Sequence, residues 1–413
     1  MVPFAGYSMP VQYDDLGVGE SHKWVREKAG LFDVGHMYVT SSNLVLKSRM
    51  NGGEHCRAYV DPSYCRVQHH MSGPGATSFL EMVTPTNITD LQPNHSTLSC
   101  LLHPFTGGIV DDTVITRLGQ HLFYLVTNAA CKKKDIAYLE EQLQMHDTSL
   151  GGVNWEVRDG WGLVALQGPL SAEILAATLQ RLGNEDVKLQ ELYFGQCVSA
   201  QVQVAESSQS FSVLVSRGGY TGEDGFEISI PPDQTEPFTK LLLEIGTSDR
   251  LRLAGLGARD SLRLEAGMCL YGHDLDDNIT PVEAGLSWII PKDRRISGGF
   301  NGHETILTQL KSKNEGGGVE KRRVGLIVEG APAREGAEII SGEDEEVIGR
   351  ITSGCPSPTL GKNIAMGYIK SGMHKAGTEV GVRVRGKKRK GQVVKMPFVA
   401  SKYWKQAAGT APA

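Results

Sequence analysis

Apolar and polar positions along this chain repeat with two periods, and the shift between them divides the sequence. "SHKWVREKAGLFDV" (21–34) predicts a short helix stopped at Gly30 and then an apolar segment. "GPGATSFLEMV" (73–83) predicts a turn and a helix, with Phe79, Leu80 and Val83 on one side. Residues 106–128 alternate as two strands, with Gly119-Gln120 as the hairpin turn before "HLFYLVTN". "KKKDIAYLEEQLQMH" predicts a helix whose apolar stripe is Ile136, Leu139 and Leu143. "WGLVALQGPLSAEILAATL" repeats the earlier order of strand, Gly-Pro and helix, which suggests two related α/β units.

Past residue 311 the helical period fades. Residues 312–324, "SKNEGGGVEKRRV", have the polar, glycine-rich character of a linker. "RVGLIVEG", "EEVIGRITSG", "IAMGYI" and "EVGVRVRG" then read as short strands, so 325–405 is expected to be an all-β barrel or jelly-roll-like module. Residues 406–413 read as a disordered tail.

At 413 residues the chain is long enough for two or three domains. Its net charge of −5 gives no general case for nucleic acid, and the basic run at 385–395 lacks interleaved aromatics and reads as a solvated turn. No run of 18 apolar residues predicts a membrane span. Seven scattered cysteines, without CxxC spacing, argue against a disulfide framework and for a reducing compartment. The opening "MVPFAGYSMPVQY" shows neither a basic amphipathic leader nor a signal-peptide pattern.

Candidate chemistry is sparse but pointed. In "TGGIVDDTVIT" (106–116), Asp111 and Asp112 occupy opposite faces of a strand that is apolar on both, so at least one is expected under cover. Glu227 starts a strand beside the glycine-crowded turn of "GGYTGEDGFEISI", where a carboxylate can accept two parallel donors or simply face water. Arg259 falls on the Leu256/Leu262 stripe of "GLGARDSLRLEAG", which implies either a partly enclosed cation or a solvated helix border. Asp260, Arg263 and Leu264 read as ordinary local structure, and His36 as a structural histidine. No cluster has metal-ligand spacing, His273-Asp274 included, and no nucleophile elbow, Walker A run or dinucleotide fingerprint occurs.

Taken in order, "MVPFAGYSMPVQY", "GLFDVGHM", "GGIVDD", "GGYTGEDGFEISI", "GLGARDSLRLEAGMCLYGHDLD", "TPVEAGLSW", "TSGCPSPTLGKNIAMGY" and "KMPFV" resemble the aminomethyltransferase family, the T-proteins of the glycine cleavage system. The resemblance covers nearly the whole chain except about 38–66 and the tail. It implies an α+β fold of three domains in a clover-leaf around a central folate site, with two intertwined α/β domains in 1–311. It also implies tetrahydrofolate as cosubstrate and a lipoyl arm supplied by H-protein. The reaction would release ammonia and form 5,10-methylenetetrahydrofolate, with no metal. Partners would be lipoylated H-protein and the other glycine cleavage components, in the mitochondrial matrix. A folate-binding relative that serves iron–sulfur maintenance without aminomethyl transfer is the alternative.

Carried over by matching motifs, Asp112 corresponds to the catalytic carboxylate near folate N5/N10 and would be the covered acid, with Asp111 its structural neighbour. Met37, Asn128, Tyr220, Glu227, Arg259, Trp288 and Tyr403 correspond to folate-pocket positions. Three departures stand out. Family members are preceded by more protein at the N-terminus. Gly35 replaces a usual Ser. Residues 38–66 interrupt a run that splices cleanly as "GHMVQHHMSGPG"; they read as translated non-coding sequence, or alternatively as a surface excursion.

Overall fold

The computed structural model describes residues 2–4, 7–34, 67–147, 149, 151–203, 210–342 and 345–406. Met37, Gly35, His36, the interruption at 38–66 and tail residues 407–413 lie outside the described residues. Two compact units divide the chain, one built from 1–68, 157–260 and 402–413, the other from 69–156 and 261–401.

In the first unit, six strands run in the order Cys197–Val202, Phe211–Arg217, Gly225–Ile230, Gly162–Gln167, Ala29–Asp33 and Leu251–Leu253. All neighbours are antiparallel except the last pair, Ala29–Asp33 with Leu251–Leu253. The helix Ser171–Arg181 buries Ile174, Leu175, Thr178 and Leu179, a spacing of three and four that makes one face. That face joins Leu31, Val164, Leu166, Phe226, Ile228, Phe238 and Leu242 in one core. Burying each such side chain contributes roughly 1.5–3 kcal/mol.

The second unit holds a five-stranded sheet in the order His95–Leu102, Ile109–Gly119, Leu122–Thr127, Val67–Ser72 and Asn154–Val157. Its core packs Met71, Phe79, Leu80, Val83, Ile115, Phe123, Leu125 and Leu139. The C-terminal strands close a six-stranded barrel whose ends meet between Lys321–Val328 and Lys387–Val394. The all-β expectation is met as a barrel, and its first strand takes in Lys321 to Val324, the last residues of the stretch read as linker. The basic run forms the strand Lys387–Val394 and the turn before it, with Lys387, Lys388 and Lys390 exposed.

The two strand–Gly-Pro–helix segments share a turn. Gly73 and Gly168 have φ of 108° and 123°, and a Cβ would stand 2.4 Å from the Gly152 carbonyl oxygen in one and 2.3 Å from that of Lys28 in the other. Only glycine meets both demands.

The helix Lys132–Met145 turns a different face inward from the one its apolar residues mark. Asp135, Tyr138, Leu139 and Gln142 are buried, while Ile136 and Leu143 are half-buried. Polar side chains can occupy that face because they find partners: Tyr138 donates to the Leu102 carbonyl at 2.7 Å, and Gln142 accepts from Asn301 at 2.8 Å. Arg263, read as ordinary local structure, is 2% exposed and pairs with fully buried Asp274 at 2.6 Å.

Candidate functional site

The paired acids stand where Gly107-Gly108 leads into the strand Ile109–Gly119. A bulge at Val110 in this strand falls where Asp111 and Ile109 pair with the consecutive Leu101 and Leu102 of the neighbouring strand. The face made by Ile109, Asp111, Thr113 and Ile115 is fully buried, whereas Asp112 on the other face is half-buried. The assignment of Asp112 as the covered acid and Asp111 as a mere neighbour is therefore reversed. Asp111, at 0% exposure, is the covered one. What allows it is Asn128, which precedes a short 3₁₀ turn, Ala129–Cys131.

Asn128 ties the two acids together. Its backbone N–H and its side-chain amide donate to the two oxygens of Asp111, each at 2.8 Å. The same amide donates to Asp112 Oδ1 at 2.9 Å. Behind this bridge lies Asp135, fully buried, with no donor in good hydrogen-bond geometry on either oxygen and the Thr127 hydroxyl as a weaker neighbour. Burial, then the neighbouring carboxyls of Asp135 and Asp112, push the Asp111 pKa well above the carboxylate range, against the opposing pull of the Asn128 N–H. Burial likewise pushes Asp135 up to about 7, while Asp111, Thr127 and Lys134 oppose the shift. The ligand atoms of Asp111, Cys131 and Asp135 lie within 4.8 Å of one another. A bound ion would require all three to be deprotonated, and burial opposes each, the Cys131 thiol included.

The first unit contributes a second group of the expected residues around the hairpin from Phe211–Arg217 to Gly225–Ile230. Arg217 grips Asp224 with two bonds, from Nε at 3.0 Å and Nη2 at 2.5 Å, and donates to the carbonyls of Leu189 and Leu192. Glu223 is buried and pairs with Arg26 at 3.0 Å and Lys402 at 3.2 Å. The turn is fixed from inside by Gln167, which donates to the Gly218 carbonyl and accepts from the Thr221 hydroxyl at 2.8 Å.

On that braced turn Tyr220 is half-buried, and the Arg259 guanidinium carbon lies 5.3 Å from its ring centroid. Arg259 is itself half-buried. Glu227 is half-buried, set in register between Ser216 and Ala165. Tyr403 stacks on Phe194 with centroids 4.1 Å apart, and burial pushes its phenol up to about 12. The Arg259 guanidinium and the Tyr220 ring together offer a planar cation and an aromatic face.

The structure therefore brings Asp112 and Asn128 together in one unit, and Tyr220 and Arg259 in the other. Trp288, in the turn Ser287–Ile289, is 62% exposed. Periodicity missed Asp135, Gln167, Glu223 and the Arg217–Asp224 pair. The one available signal was the Asp–Gly turn, which marks Asp224 as local punctuation without naming its partner.

Models of known families match two stretches: the GCVT N-terminal domain at residues 60–294, and the glycine cleavage T-protein C-terminal barrel domain at 321–400. A probable mitochondrial aminomethyltransferase of Schizosaccharomyces pombe is 46% identical, over 98% of this chain and 90% of the relative. A mitochondrial aminomethyltransferase of Mesembryanthemum crystallinum is 45% identical, over 98% and 87%. The crystal structure of a glycine cleavage system aminomethyltransferase T from Bartonella henselae superposes with a TM-score of 0.79 at 33% identity, covering 97% of this chain and 94% of that one. With both family models matched and relatives this similar along almost their full length, the chain belongs to the aminomethyltransferase family of glycine cleavage T-proteins.

Proposed function

We propose that this protein transfers the aminomethyl carbon of lipoylated H-protein to tetrahydrofolate, releasing ammonia and leaving the lipoyl sulfur as a thiol. Tetrahydrofolate, when bound, supplies the nitrogen that accepts the carbon. The observation that carries the reading is the Asn128 bridge, which holds Asp112 at 2.9 Å on the less buried face of its strand while Asp111 is sealed behind it.

A carboxylate fixed in this way needs no reorganisation to stabilise positive charge developing on the transferred carbon, where preorganised electrostatics are most effective. Asp112 is the catalytic residue in this reading. Asn128 orients it. Glu227 and Arg259 recognise the pterin, Tyr220 and Tyr403 supply aromatic faces to folate, and Met37 and Trp288 are further binding positions. The protein would act in the mitochondrial matrix alongside the other glycine cleavage components, as the names of its fungal and plant relatives suggest.

The decisive assay supplies aminomethylated H-protein and tetrahydrofolate and follows methylenetetrahydrofolate. The proposal expects product and ammonia in equal amounts. Folate binding without product would instead favour a non-transferase relative serving iron–sulfur maintenance. Arg259→Lys, which loses the planar donor fork, should weaken folate affinity by about 1–3 kcal/mol. Unchanged affinity in a folded variant would remove Arg259 from the binding set.

A further inference from the structure

Asp135 has no place in the mechanism above, yet it is the least conventional polar residue in the described part of the molecule. It is fully buried, with no donor in good hydrogen-bond geometry on either oxygen and the Thr127 hydroxyl as a weaker neighbour. An ionised carboxylate in that position would be severely destabilised. Its carboxyl neighbour Asp111 is saturated differently, with one N–H donated to each oxygen by Asn128. Two buried carboxyls side by side resist ionising together, and burial raises both, Asp111 further than Asp135. The pair therefore retains a proton between its two carboxyls, and that one proton satisfies both groups.

We propose that Asp135 is a positioning residue for the catalytic carboxylate, acting through the chain Asp135, Asp111, Asn128 and Asp112. A side-chain amide has two N–H bonds, and Asn128 aims them at Asp111 Oδ1 and Asp112 Oδ1, at 2.8 and 2.9 Å. Its orientation is settled by Asp111, which has its own orientation fixed by the proton it shares with Asp135. Loss of that proton would set two negative charges against each other and loosen the bridge that aims Asp112. The inference rests on the reading of Asp112 as the group that meets the transferred carbon.

Among the groups of this corner, the carboxyl pair is the one whose protonation changes most readily with pH. The groups acting on the cluster are Cys131 and Lys134 from the adjoining turn and helix, together with Tyr271, Cys100 and Cys269. Burial pushes the Cys131, Cys100 and Tyr271 protons up and raises Cys269 to about 12, so these remain neutral. Lys134 is held by Tyr271 Oη and Asp277 on its outer side.

Three variants and a spectrum test the proposal. Asp135→Leu removes the donor and should lower kcat for methylenetetrahydrofolate formation by roughly tenfold, with little change in KM for folate, as expected when a group is misaimed and not lost. Asp135→Asn carries permanent N–H donors and should restore most of that loss. Because the amide cannot deprotonate, the ratio of its kcat to that of the parent should climb as pH rises from 6 to 9. In the Asp112→Asn background, Asp135→Leu should add no further loss, since the two act as one unit. The infrared spectrum of the resting protein should show one buried protonated-carboxyl band that Asp135→Asn abolishes. A pH-independent ratio, an equal loss in the Leu and Asn variants, or an additive double variant would each overturn the role. The infrared band needs no turnover, so its absence overturns this proposal alone. A parent protein without transfer activity overturns the reading on which it rests.

Discussion

The hairpin corner of the first unit and the acid corner of the second each lie in a sheet that carries a strand–Gly-Pro–helix turn, yet they bury charge by opposite means. Around Arg217 the acids face cations: half-buried Asp224 meets buried Arg217, and buried Glu223 meets Arg26 and Lys402. In the other corner Asp111 and Asp135 meet an asparagine and each other, with no arginine or lysine paired to either among the described residues. Compensation by a guanidinium makes a rigid scaffold with fixed charge. Compensation by a shared proton makes a corner whose charge depends on pH. The first arrangement suits a surface that must hold a ligand in place, and the second suits the support of a group that must be poised.

The contrast can be broken most forcefully at Asp224. Removing one partner of a buried ion pair strands the other, so Asp224→Ala should cost about 3–5 kcal/mol of stability, read from the urea midpoint. A loss below about 1 kcal/mol would mean that Arg217 finds other acceptors, its carbonyl partners among them, and that the pair is incidental.

A smaller effect, equal in the two units, is expected at the glycines that make their common turn. Gly73→Ala and Gly168→Ala each force a Cβ onto a backbone oxygen at positive φ, and each should cost roughly 1–3 kcal/mol. Thermal melts that separate the two by much more than that would show that the turns only look alike.

At Asp135 the size of the expected effect depends on pH. The folded-state pKa is raised to about 7, above the usual carboxylate value, so the folded protein binds the proton more tightly than the unfolded chain. That group contributes nothing unfavourable in acid, and the parent loses stability as pH climbs from about 4 to 7, by at most about 1.4 kcal/mol per pH unit. Asp135→Asn should lack this descending limb, so it gains on the parent as pH rises. Parallel stability–pH curves for the two would place the titrating proton elsewhere.

How much of this was legible beforehand depended on whether a residue's role is local. The helix Ser171–Arg181, the hairpins and the barrel strands follow from periodicity, because each buries a stripe that the sequence itself displays. The acid pair was legible as holding at least one covered position, but not which of the two it was. Parity treats both faces of Ile109–Gly119 alike, and the choice rests on Asn128, reached only after the chain has turned back through another strand. Asp135 was invisible for the same reason. An apolar stripe through Ile136, Leu139 and Leu143 is the better pattern on paper, and the helix turns instead toward the partners that Tyr138 and Gln142 find. Arg263 and Asp274 lie close in sequence, but their pairing needs Ser353 and Thr352 from the barrel to complete it. Arg259 and Glu227 were singled out as oddities, and the family resemblance, not the pattern, gave them a ligand.

The central claim is that Asp112 contributes chemistry and not merely binding. Asp112→Asn keeps the shape and an acceptor for the Asn128 amide while discarding the charge. Steady-state transfer from aminomethylated H-protein, measured beside folate titration, should show kcat reduced by roughly 10²–10³-fold and folate affinity almost unchanged. A kcat near that of the parent, or a defect confined to folate affinity, would contradict it.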